Sequence, residues 1–129
     1  PIHVANFVGQ AQAGLYNGLT WHRVVSNFVI QGGDPDGSGW GDAGYSLRAE
    51  INHHKFNRGV LGMPRSSDFD TGGVQLFFTH VPTPHLDGQY TVFGEIVKGI
   101  DVVDTIVSQP RDLKDNPLER IEMTVEVMP

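Results

Sequence analysis

The sequence predicts a mainly β domain, a β-barrel or sandwich with helices packed on its outside. Short clusters drawn from 16 glycines and 8 prolines separate the apolar runs of this 129-residue chain, as is typical of strands joined by loops. Six of those runs have the composition of strands, and two other segments place apolar residues at helical spacing. Six strands and two helices in one small domain favour a sheet that closes or stacks on itself.

The chain opens on a predicted helix, because Pro1 suits the first helical turn, where no backbone N–H is needed. Gly14 is a suitable end for that helix. Between the two, apolar residues recur on one helical face: Val4, Phe7, Val8 and Ala11. Since the chain starts directly on a helix, with no signal segment, we expect that a segment before Pro1 has been removed.

The six predicted strands are rich in Val, Ile, Phe and Trp and are bounded by turns and loops. They are Leu19–Val25, Phe28–Gln31, Gly59–Met63, Val74–Thr79, Thr91–Val97 and Ile121–Val127. The last has the clearest pattern, because its apolar residues alternate with Glu and Thr, so that one face is buried and the other solvated. Before it, a second helix is predicted from apolar residues at helical spacing: Ile100, Val103, Ile106 and Val107.

The charge balance argues against several classes of function. Nine basic and fifteen acidic residues give a net charge of −6, which does not suit binding to nucleic acid or to an anionic membrane. No apolar run approaches the roughly 20 residues that span a bilayer. Because the chain has no cysteine, it offers no disulfide, thiolate nucleophile or Cys-based zinc site, and the cellular compartment stays open.

Two patterns suggest metal binding, and neither is complete. The glycine-rich loop of residues 32–44 follows EF-hand spacing from Asp34 to Asp42, but Tyr45 stands where a bidentate Glu is needed. The six histidines include one adjacent pair, His53 and His54, whose side chains point to opposite faces of an extended segment. We therefore expect no metal and no other cofactor.

A charged side chain inside a strand-like run is the first sign of a site. Arg23 lies in such a run, although charged residues rarely enter apolar surroundings without a partner. One interpretation is a concave, mostly apolar site with a few directed donors, formed by Arg23 with Gln31, Gln75, Phe28 and Phe77. The alternative is that Arg23 ends a strand in solvent and that both glutamines are ordinary edge residues. The pattern alone favours neither.

Five sequence blocks resemble, in the same order, those of the cyclophilins, the barrel-shaped peptidyl-prolyl cis/trans isomerases. The family's blocks are aromatic-His-Arg-Val, Phe-x-x-Gln-Gly-Gly-Asp, Gly-x-x-x-Met, Gln-x-Phe and Leu-Asp-Gly-x-x-x-Val-Phe-Gly. Here they stand at Trp21–Val24, Phe28–Asp34, Gly59–Met63, Gln75–Phe77 and Leu86–Gly94. The resemblance runs from Pro1 to the last predicted strand.

The resemblance implies a cyclophilin-like antiparallel β-barrel with two flanking α-helices. Residues 1–129 would form a single isomerase domain that lacks the first two strands of the family. The final strand, Ile121–Val127, would then lose barrel neighbours and expose a long hydrophobic edge. We expect the missing strands in a parent chain or from another molecule.

The resemblance also assigns roles to residues of this chain. It implies that Arg23 is the catalytic arginine and that Gln31 and Gln75 hold the substrate backbone. The other implied substrate-binding residues are Phe28, Val29, Phe77 and Leu86 for a proline pocket, Pro64 and Arg65 for a groove, and also His85 and Tyr90. The implied activity is isomerisation of X-Pro bonds in protein substrates, during folding or conformational switching. The implied partners are proline-containing peptides and unfolded or flexible protein segments. The alternative is a non-catalytic module that docks proline-containing partners through the same groove.

Three of the implied site residues depart from what is common in the family. Val29 stands where Met is frequent, which makes the pocket floor shallower. His85 stands where Trp is frequent, so that we expect reduced affinity for cyclosporin-type inhibitors. Tyr90 stands where His is frequent and keeps a polar tip on an aromatic body, which is compatible with peptide binding.

Overall fold

The computed structural model describes residues 1–39 and 44–129. Within these ranges, five strands form one antiparallel sheet in the order β1-β2-β4-β3-β5. The strands are β1 (Arg23–Val25), β2 (Val29–Gly32), β3 (Val60–Gly62), β4 (Leu76–Thr79) and β5 (Val92–Glu95). The helices are α1 (Ile2–Gln12) and α2 (Asp101–Val107), with a short 3-10 helix at Pro84–Leu86.

Both helices and the first five strands are confirmed, although four of these strands are shorter than the sequence predicts and β2 is shifted by one residue. The largest difference is in the first, where only the last three residues of the predicted Leu19–Val25 join the sheet. Apolar periodicity marks which residues are buried, whereas a strand also needs a backbone partner at each step. Thr20 has such a partner only as an isolated bridge to Glu122.

The sixth predicted strand, Ile121–Val127, is wrong. This segment runs along residues 17–21, and Met123 exchanges backbone hydrogen bonds with Leu19 and Gly18 over 2.8 and 3.0 Å. At the next step the N–H of Val125 donates instead to the Asn17 side chain, 3.0 Å away, so the backbone ladder stops. The expected long exposed edge is also wrong at its centre, because Met123 is buried in the core.

Helix α1 buries the predicted face only in part, through Ala11 and the partly buried Phe7. Its buried residues are His3, Gln10 and Ala11, whereas the predicted core residue Val4 is 45% exposed. Polar side chains are buried without penalty only where they find hydrogen-bond partners. His3 Nδ1 lies 2.6 Å from a Glu50 carboxylate oxygen, and Gln10 accepts a hydrogen bond of 2.8 Å from the Tyr16 hydroxyl.

Three groups of buried residues hold the sheet and helices together. One joins α1 to the sheet and includes Tyr16, Leu61 and Met123. A second joins α2 to β1 and β2, through Val24, Ile30, Val103 and Val107. The third lies under the site described below: Val29, Phe56, Val60, Phe77 and Leu86. Among the residues that the structure describes, no helix combines the length and the apolar character needed to cross a membrane.

Candidate active site

The strand register places the predicted site residues in one row across the sheet. Arg23 on β1 faces Gln31 on β2, which faces Phe77 on β4, which faces Gly62 on β3. Directly opposed residues of antiparallel strands project from the same face. The period of two therefore brings three predicted site residues, from three strands, to one surface of the sheet.

A cavity of about 190 Å³ opens over this row. Nine residues line it, and the sequence analysis assigned all nine to the site: Arg23, Phe28, Val29, Gln31, Pro64, Arg65, Phe77, Leu86 and Tyr90. The cavity brings five apolar side chains together with two arginines, a glutamine and a tyrosine, as in the first of the two interpretations of Arg23, except that Gln75 lies outside the lining. Cavities with few polar groups among apolar walls are the usual form of small-ligand sites.

The Arg23 guanidinium stands at the polar side of the cavity. One of its terminal nitrogens donates to the Gln31 amide oxygen over 3.3 Å, and its central carbon lies 5.7 Å from the centre of the Phe28 ring. In the described part of the chain, no carboxylate lies within ion-pair distance of Arg23. Since a guanidinium carries five N–H donors and Arg23 lines the cavity, N–H donors remain available for a ligand there.

The neighbouring His22 adds no second positive charge beside Arg23. His22 is 7% exposed, and its burial lowers the pKa of the imidazole, an effect that the nearby Asp34 carboxylate opposes. An imidazole with a lowered pKa is neutral at neutral pH. The cationic groups of the cavity wall are therefore Arg23 and Arg65.

A chain of amide hydrogen bonds fixes the orientation of Gln31. Its amide nitrogen donates to the Gln75 oxygen over 3.0 Å, and the Gln75 nitrogen donates in turn to the Gly39 carbonyl, also over 3.0 Å. Gln75 itself is outside the cavity lining, so it supports Gln31 from behind. The direction of these bonds leaves the Gln31 oxygen facing Arg23.

The apolar wall is a set of interlocked rings. Phe77 is 5% exposed, and Tyr90 meets it edge-on with 6.1 Å between ring centres. Behind Phe77, the ring of Phe56 stacks at 5.5 Å. Aromatic rings in edge-on and offset contacts of this kind hold one another in place. The apolar wall is therefore in place before any ligand binds.

Arg65 is held by two rings and a carbonyl. Its guanidinium carbon lies 3.7 Å from the centre of the Phe69 ring and 4.3 Å from that of Tyr90. Two of its nitrogens donate to the Gln89 carbonyl oxygen, over 2.5 and 3.2 Å. Cation–π contacts and a fixed fork of donors suit an arginine to such a position. Arg65 therefore lines the cavity beside Pro64 in a fixed position.

The predicted site residue His85 lies outside the cavity lining. Its imidazole stacks on the Phe28 ring, with 5.5 Å between ring centres and 26° between planes. Together, Arg23 and His85 contact the Phe28 ring that lines the cavity. His85 thus contributes to the position of Phe28 and not to the cavity surface.

The family model for "Cyclophilin type peptidyl-prolyl cis-trans isomerase/CLD" matches residues 1–127 of the chain. The chain belongs to the cyclophilin family. Among curated relatives, a peptidyl-prolyl cis-trans isomerase of Helicobacter pylori is 46% identical over 110 residues, covering 82% of this chain and 67% of the relative. Peptidyl-prolyl cis-trans isomerase B of Bacillus subtilis is 47% identical over 103 residues, covering 78% of this chain and 71% of the relative.

A solved cyclophilin confirms the family fold. The crystal structure of a cyclophilin type peptidyl-prolyl cis-trans isomerase of Cryptosporidium parvum, determined in the presence of the dipeptide Ala-Pro, superposes with a TM-score of 0.90. It is 32% identical in sequence, and the match covers 95% of this chain and 82% of that one. The fold class and the family resemblance that the sequence predicts are therefore both confirmed.

Two supporting residues of this cyclophilin site were not predicted. Phe56 is 1% exposed behind Phe77, and its N–H donates to the Asp87 carboxylate over 2.7 Å. It lies alone in a polar stretch of sequence, and an isolated aromatic residue in such a stretch is the signal that points to it. Gly62 is the other, because a Cβ there would overlap the rings of Phe56 and Phe77.

The first aspartate of the glycine-rich loop binds backbone N–H groups of the same loop. The buried Asp34 carboxylate accepts hydrogen bonds from the backbone N–H groups of Asp36, Ser38 and Gly39. Asp42, which the EF-hand spacing includes, lies outside the described residues. Elsewhere, in the ranges 1–39 and 44–129, no three His, Asp or Glu side chains come together as a metal site would require.

Proposed function

We propose that this chain accelerates rotation about X-Pro peptide bonds in proteins, with Arg23 as the catalytic residue and the 190 Å³ cavity as the pocket for the proline ring. The observation that carries the proposal is the Arg23 guanidinium, held against Gln31 and Phe28 beside the apolar side chains that line one part of the cavity. Family membership supports the same activity.

The chemistry requires selective binding of a twisted amide. Rotation about a peptide C–N bond breaks its resonance and meets a barrier of about 18–20 kcal/mol. In the twisted state the prolyl nitrogen becomes pyramidal and regains a lone pair. A guanidinium N–H directed at that nitrogen bonds the twisted form more strongly than the planar one, which lowers the barrier. Arg23 is suited to this because it stays protonated and its donors form a rigid fork.

The apolar wall serves two purposes in this scheme. The pocket formed by Val29, Phe77 and Leu86 binds the proline ring through buried contact area. By excluding water it also strengthens the hydrogen bond from Arg23, since electrostatic interactions weaken as the local dielectric rises. The ring stays fixed in the pocket while the residue before proline rotates.

Amide and groove residues hold the substrate backbone. Gln31 is oriented by Gln75, and its position next to Arg23 suits it to a backbone group that flanks the proline. Pro64 and Arg65 border the same cavity and would contact residues further along the peptide. The substrate class is therefore an exposed proline-containing segment of a protein, and the Ala-Pro dipeptide named for the Cryptosporidium parvum neighbour is the simplest such ligand.

The test is two-dimensional exchange NMR on a tetrapeptide that contains Ala-Pro. The intact chain should give cis–trans exchange peaks at substoichiometric concentration. Arg23→Ala should lower the catalysed rate by about 10²–10³-fold, because one donor to the transition state is removed. Arg48→Ala, which changes an exposed arginine outside the cavity, is the matched control and should retain the full rate.

The same experiment distinguishes a catalyst from a binding module. If the intact chain shifts the peptide resonances but produces no exchange above the Arg23→Ala level, the site only binds proline-containing segments. Catalysis by this chain would then be refuted.

A further inference from the structure

The turn between β1 and β2 carries a cavity residue on a constrained backbone. Asn27 has φ of +62°, in the left-handed region that few residue types other than glycine accept readily. Directly after it, Phe28 donates its N–H to the Val25 carbonyl over 3.1 Å and turns its ring into the cavity wall. The position of Phe28 therefore depends on whatever fixes residues 26–28.

His80 contacts that turn twice. Its backbone N–H donates to the Phe28 carbonyl over 2.8 Å, and its Nδ1 accepts the Asn27 N–H over 2.9 Å. Because Nδ1 faces an N–H donor, it must be the nitrogen without a proton. The imidazole is 13% exposed and lies directly after β4, so it is rigidly placed.

The other ring nitrogen is fixed from helix α2. His80 Nε2 lies 3.0 Å from one Asp104 carboxylate oxygen, and the second oxygen accepts a hydrogen bond of 2.7 Å from Arg58. That hydrogen bond from Arg58 lowers the pKa of Asp104, which keeps the carboxylate ionised. An ionised carboxylate accepts a hydrogen bond from Nε2–H and so selects the tautomer in which Nδ1 is free to accept.

We propose that His80 is a positioning residue for isomerisation: it fixes the 26–28 turn so that Phe28 forms the pocket wall under the Arg23 guanidinium. The inference rests on the proposed function. Three hydrogen bonds make up this network: Arg58 and His80 both donate to Asp104, and the Asn27 N–H donates to His80. Arg23 is affected because its guanidinium lies over the Phe28 ring.

Two variants test the contacts of the two ring nitrogens separately. In His80→Asn, the amide occupies about the position of Nδ1, so its oxygen can still accept the Asn27 N–H. In His80→Gln, the amide occupies about the position of Nε2, so the contact with Asp104 is kept and the acceptor for Asn27 is lost. Catalysis in His80→Asn should stay close to that of the unchanged protein. His80→Gln should lose between about 10-fold and about 100-fold, because a displacement of about 1 Å at a reacting centre can cost about 10²-fold.

Peptide affinity distinguishes positioning from a simple loss of folded protein. A smaller folded fraction lowers the apparent kcat and leaves KM unchanged. Displacement of Phe28 instead weakens binding of the Ala-Pro tetrapeptide, so His80→Gln should also raise KM and the dissociation constant. His53→Ala, which removes an exposed histidine, is the control and should match the unchanged protein.

The imidazole ¹⁵N shifts of the unchanged protein test the same claim without any variant. They should identify the Nε2–H tautomer of His80, and an Nδ1–H tautomer would overturn the inference. Equal losses in the Asn and Gln variants, or none in either, would also overturn it while leaving the proposed function in place. An unchanged protein that gives no exchange at all would refute the proposed function, and the inference with it.

Discussion

At the scale of single residues, the cavity depends on what stands behind its wall. The Phe77 ring has its place because Gly62, directly opposite on β3, has no side chain. Phe56 fills the space behind both. A glycine inside a strand often marks such a close approach.

We predict that Gly62→Ala weakens both folding and peptide binding. The added methyl group would overlap the rings of Phe56 and Phe77, so Phe77 must move toward the cavity. Overpacking of this kind typically costs about 1–3 kcal/mol. Urea denaturation and titration with the Ala-Pro tetrapeptide measure the two effects.

Gly9→Ala is the matched control, because a Cβ at that position of α1 meets no atom within 4 Å. It should leave peptide binding unchanged and stabilise the helix by roughly 0.5–1 kcal/mol. Peptide affinity in Gly62→Ala equal to that of the control would show that Phe77 does not depend on this glycine.

At this scale, the family resemblance was enough to predict the residues that line the cavity. The supporting residues that the sequence did not predict depend on contacts with residues far along the chain. Phe56 and His80 act through contacts with Phe77 and Asp104, which are more than 20 residues away along the chain. No local period or spacing encodes such a pairing. An isolated aromatic or histidine is all that the sequence displays.

At the scale of elements, helix α1 is attached through its N-terminus to one carboxylate. Glu50 accepts the backbone N–H groups of Ile2 and His3 over 3.1 and 2.6 Å and also contacts the His3 ring. The first N–H groups of a helix have no partner within it, so an outside carboxylate is stabilising there. This attachment is why His3 and not Val4 faces the interior.

We predict an acid-sensitive contribution of Glu50 to stability. Desolvation raises the pKa of Glu50, but hydrogen bonds from the His3 N–H, the Pro1 amine, the His3 ring and the Ile2 N–H outweigh it and lower the pKa from 4.5 to about 2. A carboxyl whose pKa is lower in the folded state stabilises the fold above its unfolded pKa and loses that contribution as pH falls. The loss should therefore occur between about pH 5 and pH 2.

Urea denaturation of Glu50→Gln across that range measures this contribution. The stability difference from the unchanged protein should be largest near neutral pH and should be mostly lost near pH 2. Glu119→Gln, at an exposed glutamate, should show no such pH-dependent difference. A difference for Glu50→Gln that stays constant with pH would contradict the assignment.

The lengths of elements were less predictable than their presence. Alternation correctly marks Ile121 and Met123 as more buried than Glu122. It cannot show that the backbone partner at Val125 is the Asn17 side chain, which ends the ladder. The predicted face of α1 is only partly correct for a related reason, since the partners of His3 and Gln10 include residues far along the chain.

At the scale of the whole molecule, the C-terminal segment is held to residues 17–21 by a few hydrogen bonds. Trp21 donates its N–H to the Ile121 carbonyl over 3.0 Å, and Met123 donates to Leu19 over 2.8 Å. Within the described ranges, the amides of Glu126 and Val127 have no backbone partner. The segment is therefore attached at one end only.

Amide hydrogen exchange should reproduce that boundary. We predict slow exchange at Trp21 and Met123, because their N–H groups are bonded and close to the core, and fast exchange at Glu126 and Val127. Mapping of the individual amides by NMR measures the difference. Continuous protection through residues 121–127 would instead support the full strand that the alternating pattern predicts.

The central claim concerns one side chain, and Arg23→Lys tests it most directly. Lysine keeps the positive charge but replaces the rigid fork of donors with a flexible point charge. If Arg23 acts on the twisted X-Pro amide, binding of the planar peptide should stay nearly unchanged while the catalysed exchange rate falls by about 10²-fold or more. The decisive measurement is therefore the dissociation constant and the exchange rate of the same Ala-Pro tetrapeptide, for both proteins in the same buffer. A rate that is maintained with lysine, or a loss of rate matched by an equal loss of binding, would contradict the claim.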